Sequence, residues 1–78
     1  MKHTIDREIG LRACEEMSKR AGPMWKTKEA RRLGIDRKNI YRWASMDYAP
    51  SVYCLQALAE GGYDVTYILT GKRKTDRG

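Results

Sequence analysis

Turn punctuation limits this chain more than any other feature. Gly22-Pro23, Gly34, the stretch Asp47-Tyr48-Ala49-Pro50, Gly61-Gly62 and Gly71 divide 78 residues into five short segments and a tail. Glycine and proline at these intervals interrupt any long regular element. None of the segments alternates apolar and polar residues as a half-buried strand does. Helical spacing is what remains. The first segment, over residues 5–20, places Ile5, Ile9, Ala13, Met17 and Ala21 four apart, with Cys14 on the same stripe. Arg7, Arg12, Glu15, Glu16, Lys19 and Arg20 fill much of the remaining circumference, which describes an amphipathic helix ended by Gly22-Pro23.

The later segments carry their own start and stop signals. A second helix runs over residues 26–33, and Gly34 follows it as a left-handed cap, where a missing Cβ costs least. Asp36 is a good N-cap for a third helix over 37–45. Its inward stripe is Ile40, Trp43 and Ala44. Lys38, Tyr41, Arg42 and Ser45 then project outward, with Arg37 and Asn39 in the first turn. Ser51 caps a fourth helix whose apolar face is Val52, Leu55, Leu58 and Ala59. Asp64 caps a short fifth helix over 65–69. The expected fold is all-α, a compact bundle of about five short helices. Residues 1–71 form the one domain that this length allows, and residues 72–78 form a basic, mobile tail.

Charge narrows the class of partner. The chain has 16 Lys and Arg against 10 Asp and Glu, a net charge of +6. Residues 26–45 hold seven basic and two acidic side chains, net +5, and residues 72–78 hold four and one, net +3. The remainder is slightly acidic. Two basic blocks on such a body point to a polyanion, although a solvated charged surface gives the same count. Cys14 and Cys54 are isolated and read as small core residues. With His3 as the single histidine, no metal set is expected. There is no run of about 20 apolar residues for a membrane span and no secretory leader pattern at the start, so a cytoplasmic protein is expected. No nucleophile–histidine pair and no glycine-rich phosphate loop appear. The expectation is a protein that is not an enzyme and needs no cofactor.

The informative constellation is Ala30-x3-Gly34-x5-Ile40-x2-Trp43. Two short helices joined by a three- to four-residue turn cross steeply. Ala30 allows their close approach, Gly34 makes the turn, and Ile40 and Trp43 pack the second helix back onto the first. These are the mechanical needs of a helix-turn-helix, which leaves the second helix one free face for a major groove.

Here the chain resembles the lambda-repressor-like, or XRE-type, helix-turn-helix domains of phage repressors, Cro-like proteins and bacterial regulators. The resemblance covers residues 5–71. It is carried by the run from Lys26 to Trp43, by Pro50-Ser51, Leu55, Leu58-Ala59 and Tyr63-Asp64-Val65, and by Tyr67-Ile68-Leu69-Thr70-Gly71. Three positions depart from the common pattern. Lys26 stands where many members have Gln. Ala44 stands where many have Glu, and Met46 where many have Gly. The loop after the third helix is therefore expected to turn through Asp47.

The resemblance implies that the helix from Arg37 is the recognition helix, with Arg37, Lys38, Asn39, Tyr41 and Arg42 facing DNA. Arg37 and Arg42 suit bidentate contacts to guanine. Lys26, Thr27 and Lys28 lie at the start of the second helix, where backbone N–H groups favour a phosphate. Thr27 also reads as an ordinary helix cap, and Arg31 and Arg32 read equally as phosphate-facing or solvated. Lys72, Arg73 and Lys74 read as non-specific DNA attraction or as a solubilising tail. Tyr63, Tyr67, Ile68 and Leu69 of the last helix are the expected dimerisation residues. The expected function is a sequence-specific double-stranded DNA-binding transcriptional regulator, a repressor of phage or mobile-element type. Its partners would be an inverted-repeat operator and a second copy of itself. The alternative is an antitoxin or adaptor whose last helix binds a partner protein. A nucleoid-type or RNA-binding protein ranks last, because no aromatic stacking platform for single strands is present.

Overall fold

Each punctuated segment folds as one helix. The computed structural model describes residues 2–73, with side chains from Glu8 onward. The side chains of His3, Ile5 and Arg7 and the tail residues 74–78 lie outside the described part. The helices are α1 (Lys2–Ala21), α2 (Trp25–Leu33), α3 (Arg37–Ala44), α4 (Val52–Glu60) and α5 (Val65–Thr70). No strand occurs among the described residues.

Three of the helix starts are fixed by side chains that accept from an orphan backbone N–H. Asp36 Oδ1 accepts from Lys38 N at 2.9 Å, Ser51 Oγ from Cys54 N at 3.3 Å and Asp64 Oδ1 from Tyr67 N at 3.0 Å. Gly34 closes α2 in the left-handed region, at φ 72°.

α1 is the hub, packing against α2, α3 and α5. It contributes Ala13, Cys14 and Met17 to the core, which Ala30, Ile35, Ile40, Trp43, Leu58 and Ile68 complete. Its approach to α3 depends on Gly10. A Cβ on Gly10 would stand 3.0 Å from Trp43 Cβ and 3.0 Å from the Tyr48 carbonyl oxygen. Ala30 is buried as expected, and Gly10 marks a second close helix approach. Arg12 ties the far end of the bundle to α1. Its Nε donates to Ile68 O at 2.9 Å and its Nη2 to Leu69 O at 3.1 Å, satisfying carbonyls at the end of α5.

Several expectations need correction. Val52 and Ala59, expected on the inner face of α4, are exposed. Leu58 occupies the core, and at about 100° per residue both positions fall roughly 100–120° round the helix from it, on the same side. Cys54, Leu55 and Ala57 flank Leu58 instead. The turn after α3 runs through Met46, not Asp47: Met46 takes φ 63° itself, the left-handed value that glycine would serve. Ile68, expected at a dimer surface, is fully buried, because it is the residue through which α5 fills the core.

Candidate nucleic-acid interface

The helix pair α2–α3 is joined by Gly34, Ile35 and Asp36. With Ile40 and Trp43 buried on one side of α3, its opposite side presents Lys38, Tyr41 and Arg42 to solvent, with Asn39 half-buried. The basic side chains of α3 are thus exposed because the apolar ones are not.

At the start of the pair, four of the expected site residues come together. Arg37 Nη1 donates to Thr27 Oγ1 at 3.2 Å. The Lys26 ammonium lies 5.0 Å from the centre of the Tyr41 ring and 5.2 Å from that of Trp25. The Arg37 guanidinium lies 6.0 Å from the Tyr41 ring centre. Tyr41 is therefore the plate that both cations approach, an arrangement favoured by the negative face of its π system. Met24, Trp25, Lys26, Thr27, Arg37 and Tyr41 line an open depression of about 350 Å³ here. Lys28 is exposed on the next part of α2 and does not line it.

Thr27, expected to cap α2, does not. The N-cap position belongs to Met24, which takes φ 64° and makes no side-chain cap bond. With no side chain capping α2, its first backbone N–H groups remain unclaimed by any cap, and the Thr27 hydroxyl is used to hold Arg37. At the other end of α3, the Arg42 guanidinium sits 5.2 Å from the Tyr48 ring centre. A second groove of about 180 Å³ runs there between Asn39, Arg42, Tyr48 and Ser51. The candidate site thus has two positive ends on one helix, with Lys38 exposed between them.

Other cations are committed elsewhere. Arg32 is neither phosphate-facing nor simply solvated: its Nε and Nη2 donate to Glu29 at 3.0 and 2.8 Å, and its Nη1 donates to Gly61 O at 3.2 Å. Glu29 is only 3% exposed. It also accepts from the Tyr63 hydroxyl. The Arg32 hydrogen bonds hold the Glu29 carboxyl below its ordinary range. Burial, with Glu29 beside it, pushes the Tyr63 phenol up to about 12. Arg73 donates to Glu16 at 3.0 Å and lies 3.9 Å from the Tyr67 ring centre. Arg31 is exposed.

Of the expected dimerisation residues, Tyr63 and Tyr67 are thus engaged within the chain, and Leu69 alone is exposed. Sequence reading missed Glu29 as a buried anchor. Its one signal was the three-residue spacing to Arg32.

Cys14 is buried, and that burial pushes its thiol up to about 12. No group of three or more potential metal ligands occurs among the described residues. No helix among them is long and apolar enough to cross a membrane. Comparison with protein-family models, with curated proteins and with solved structures finds no match to this chain.

Proposed function

We propose that this chain is a sequence-specific double-stranded DNA-binding transcriptional regulator of helix-turn-helix type. It represses by occupying a promoter, as phage and mobile-element regulators do in the bacterial cytoplasm. The observation that carries the reading is the gathering of Lys26, Thr27 and Arg37 around Tyr41, at one end of an exposed basic helix.

The dimensions suit the task. A helix with its side chains is about 10–12 Å across, and the major groove is about 12 Å wide. In this reading α3 lies in the groove. The uncapped start of α2, with Lys26 and Lys28, takes a phosphate at the groove wall. Arg37 is held in advance by the Thr27 hydroxyl and the Tyr41 ring, so less freedom is lost when its remaining N–H groups meet phosphate or guanine. Lys38 and Arg42 reach base edges, and Asn39 reads adenine or bonds the backbone. Phosphate contacts supply affinity and on-rate, and base contacts supply specificity. A pair of copies on an inverted repeat would set two such helices about 34 Å apart, one turn of DNA.

The test is selection of bound duplexes from a random library at near-physiological salt. A two-fold symmetric motif is the expected result. Folded protein that enriches no sequence would overturn the reading. Co-purification of a second polypeptide would then direct attention to an adaptor or antitoxin role.

A further inference from the structure

The outer face of α4 is unlike the rest of the surface. Every Lys and Arg of the chain lies outside residues 43–71, a stretch that carries only Asp47, Glu60 and Asp64 as charged residues. Within it, Val52 is 76% exposed and Tyr53 83% exposed. With Gln56, Ala59 and Glu60 they cover the whole solvent side of α4. Residues 52, 56 and 59, and residues 53, 56 and 60, are spaced as two neighbouring rows of a helix-packing surface. Three of these five residues are apolar, one of them aromatic, and none is a cation, the bias of an interface centre; Gln56 Nε2 donates to Glu60 Oε2 at 3.3 Å along the same face.

We infer that this face packs against the same face of a second copy, α4 antiparallel to α4, with the two-fold axis beside Gln56. Three observations choose this occupant. First, a chain of net charge +6 repels its own copies, and α4, like the shorter α5, carries no Lys or Arg. The cations that reach the neighbourhood are already held: Arg32 by Glu29 and Gly61, Arg42 against Tyr48, Arg12 by the α5 carbonyls. Second, the face is self-complementary about its middle. Antiparallel pairing at Gln56 sets each row against itself, bringing Val52 of one copy opposite the small Ala59 of the other, and Tyr53 opposite the stem of Glu60. A two-fold interface requires such reciprocity. Third, α5 offers less: Ile68 is in the core, Tyr67 and the preceding Tyr63 are engaged within the chain, and Leu69 is 39% exposed against 83% for Tyr53.

The pairing is weak. Nine residues at about 1.5 Å each make a helix roughly 13 Å long, well short of what presents the ~800 Å² per partner of a stable interface. The dimer therefore dissociates in the micromolar range or above, and two adjacent DNA half-sites strengthen it. Only this last point rests on the proposed function.

Sedimentation equilibrium on the full chain, from micromolar to millimolar concentration, tests the pairing. The expected result is a reversible monomer–dimer equilibrium. Tyr53→Glu should weaken it by about tenfold or more, while Leu69→Lys leaves it unchanged. Both side chains are exposed, so thermal melts should match the wild type. In a Cys54→Ser background, Gln56→Cys should oxidise to a covalent dimer, because a residue beside the axis meets its own copy. A strictly monomeric wild type, a dimer unaffected by Tyr53→Glu, or no Gln56→Cys crosslink would overturn the inference. Half-site binding separates the two readings: Tyr53→Glu should keep the affinity for a single half-site and lose cooperativity on two. Loss of the single half-site affinity in a folded variant would overturn the assignment of this face to a second copy. A wild-type dimer that binds no duplex would leave this face standing and remove the DNA reading.

Discussion

Single residues decide two features of this protein. Glu29 is buried yet ionised, held by Arg32 and Tyr63. Its folded value lies below its ordinary 4.5, so the stability it contributes is complete above pH 4.5 and is lost as pH falls through the folded value. Urea midpoints measured against pH should fall on that acid limb, and Glu29→Gln should flatten it. Tyr63 has the opposite sign. Its phenol is raised from 10.0 to about 12, so its contribution is complete below pH 10 and is lost as pH rises towards 12. Tyr63→Phe removes one hydrogen bond to a charged partner and should cost about 1–2 kcal/mol at neutral pH. Met24 is the second case. It holds φ 64° while 70% exposed, so it bears backbone strain with little packing in return. Met24→Gly should raise stability by about 1 kcal/mol in chemical denaturation.

At the scale of the elements, the crossing of α1 and α3 fixes where the exposed side of α3 points. Gly10 lets the two backbones meet at Trp43. Glycine inside a helix costs about 1 kcal/mol against alanine, so Gly10→Ala would be stabilising on propensity alone. The added methyl would meet Trp43 Cβ and the Tyr48 carbonyl, which belong to the backbone and its first side-chain atom and cannot swing aside. Overpacking costs typically about 1–3 kcal/mol, and the net expectation is a lowered melting temperature. In the proposed function, Gly10→Ala should also weaken DNA binding without touching DNA, because Trp43 and the Tyr48 loop shift together. Unchanged affinity in the folded variant would mean that α3 tolerates the displacement.

At the scale of the whole molecule, charge is divided: cations over the α2–α3 pair, none on the outer face of α4. In the proposed function this division keeps phosphate contacts and self-association on separate surfaces. The logarithm of DNA affinity should fall linearly with that of salt, with a slope near −0.9 for each phosphate neutralised. Lys26→Ala should weaken binding to all sequences alike and reduce the slope by about 1. Arg42→Ala, by contrast, should relax the preference at one position of the selected motif, read by repeating the selection with the variant.

The order of the helices and most of their limits were legible in the sequence. Caps and turn residues act locally, and Asp36, Ser51, Asp64 and Gly34 do their work within a few residues of where they stand. The outward set Lys38, Tyr41 and Arg42 was legible too, because Ile40 and Trp43 fix the rotation of α3. What sequence could not supply was whatever depends on a partner distant along the chain. Gly10 matters only because Trp43 is beside it, and the Glu29–Arg32 pair, local in itself, is joined by Tyr63 from 34 residues away. The rotation of α4 was misjudged because a nine-residue helix with apolar residues all round has no single face until Leu58 finds the core. The same packing drew Ile68 inward and left Val52 and Tyr53 outside. Local chemistry determined the elements, and tertiary packing alone decided which apolar side chains remained for a partner.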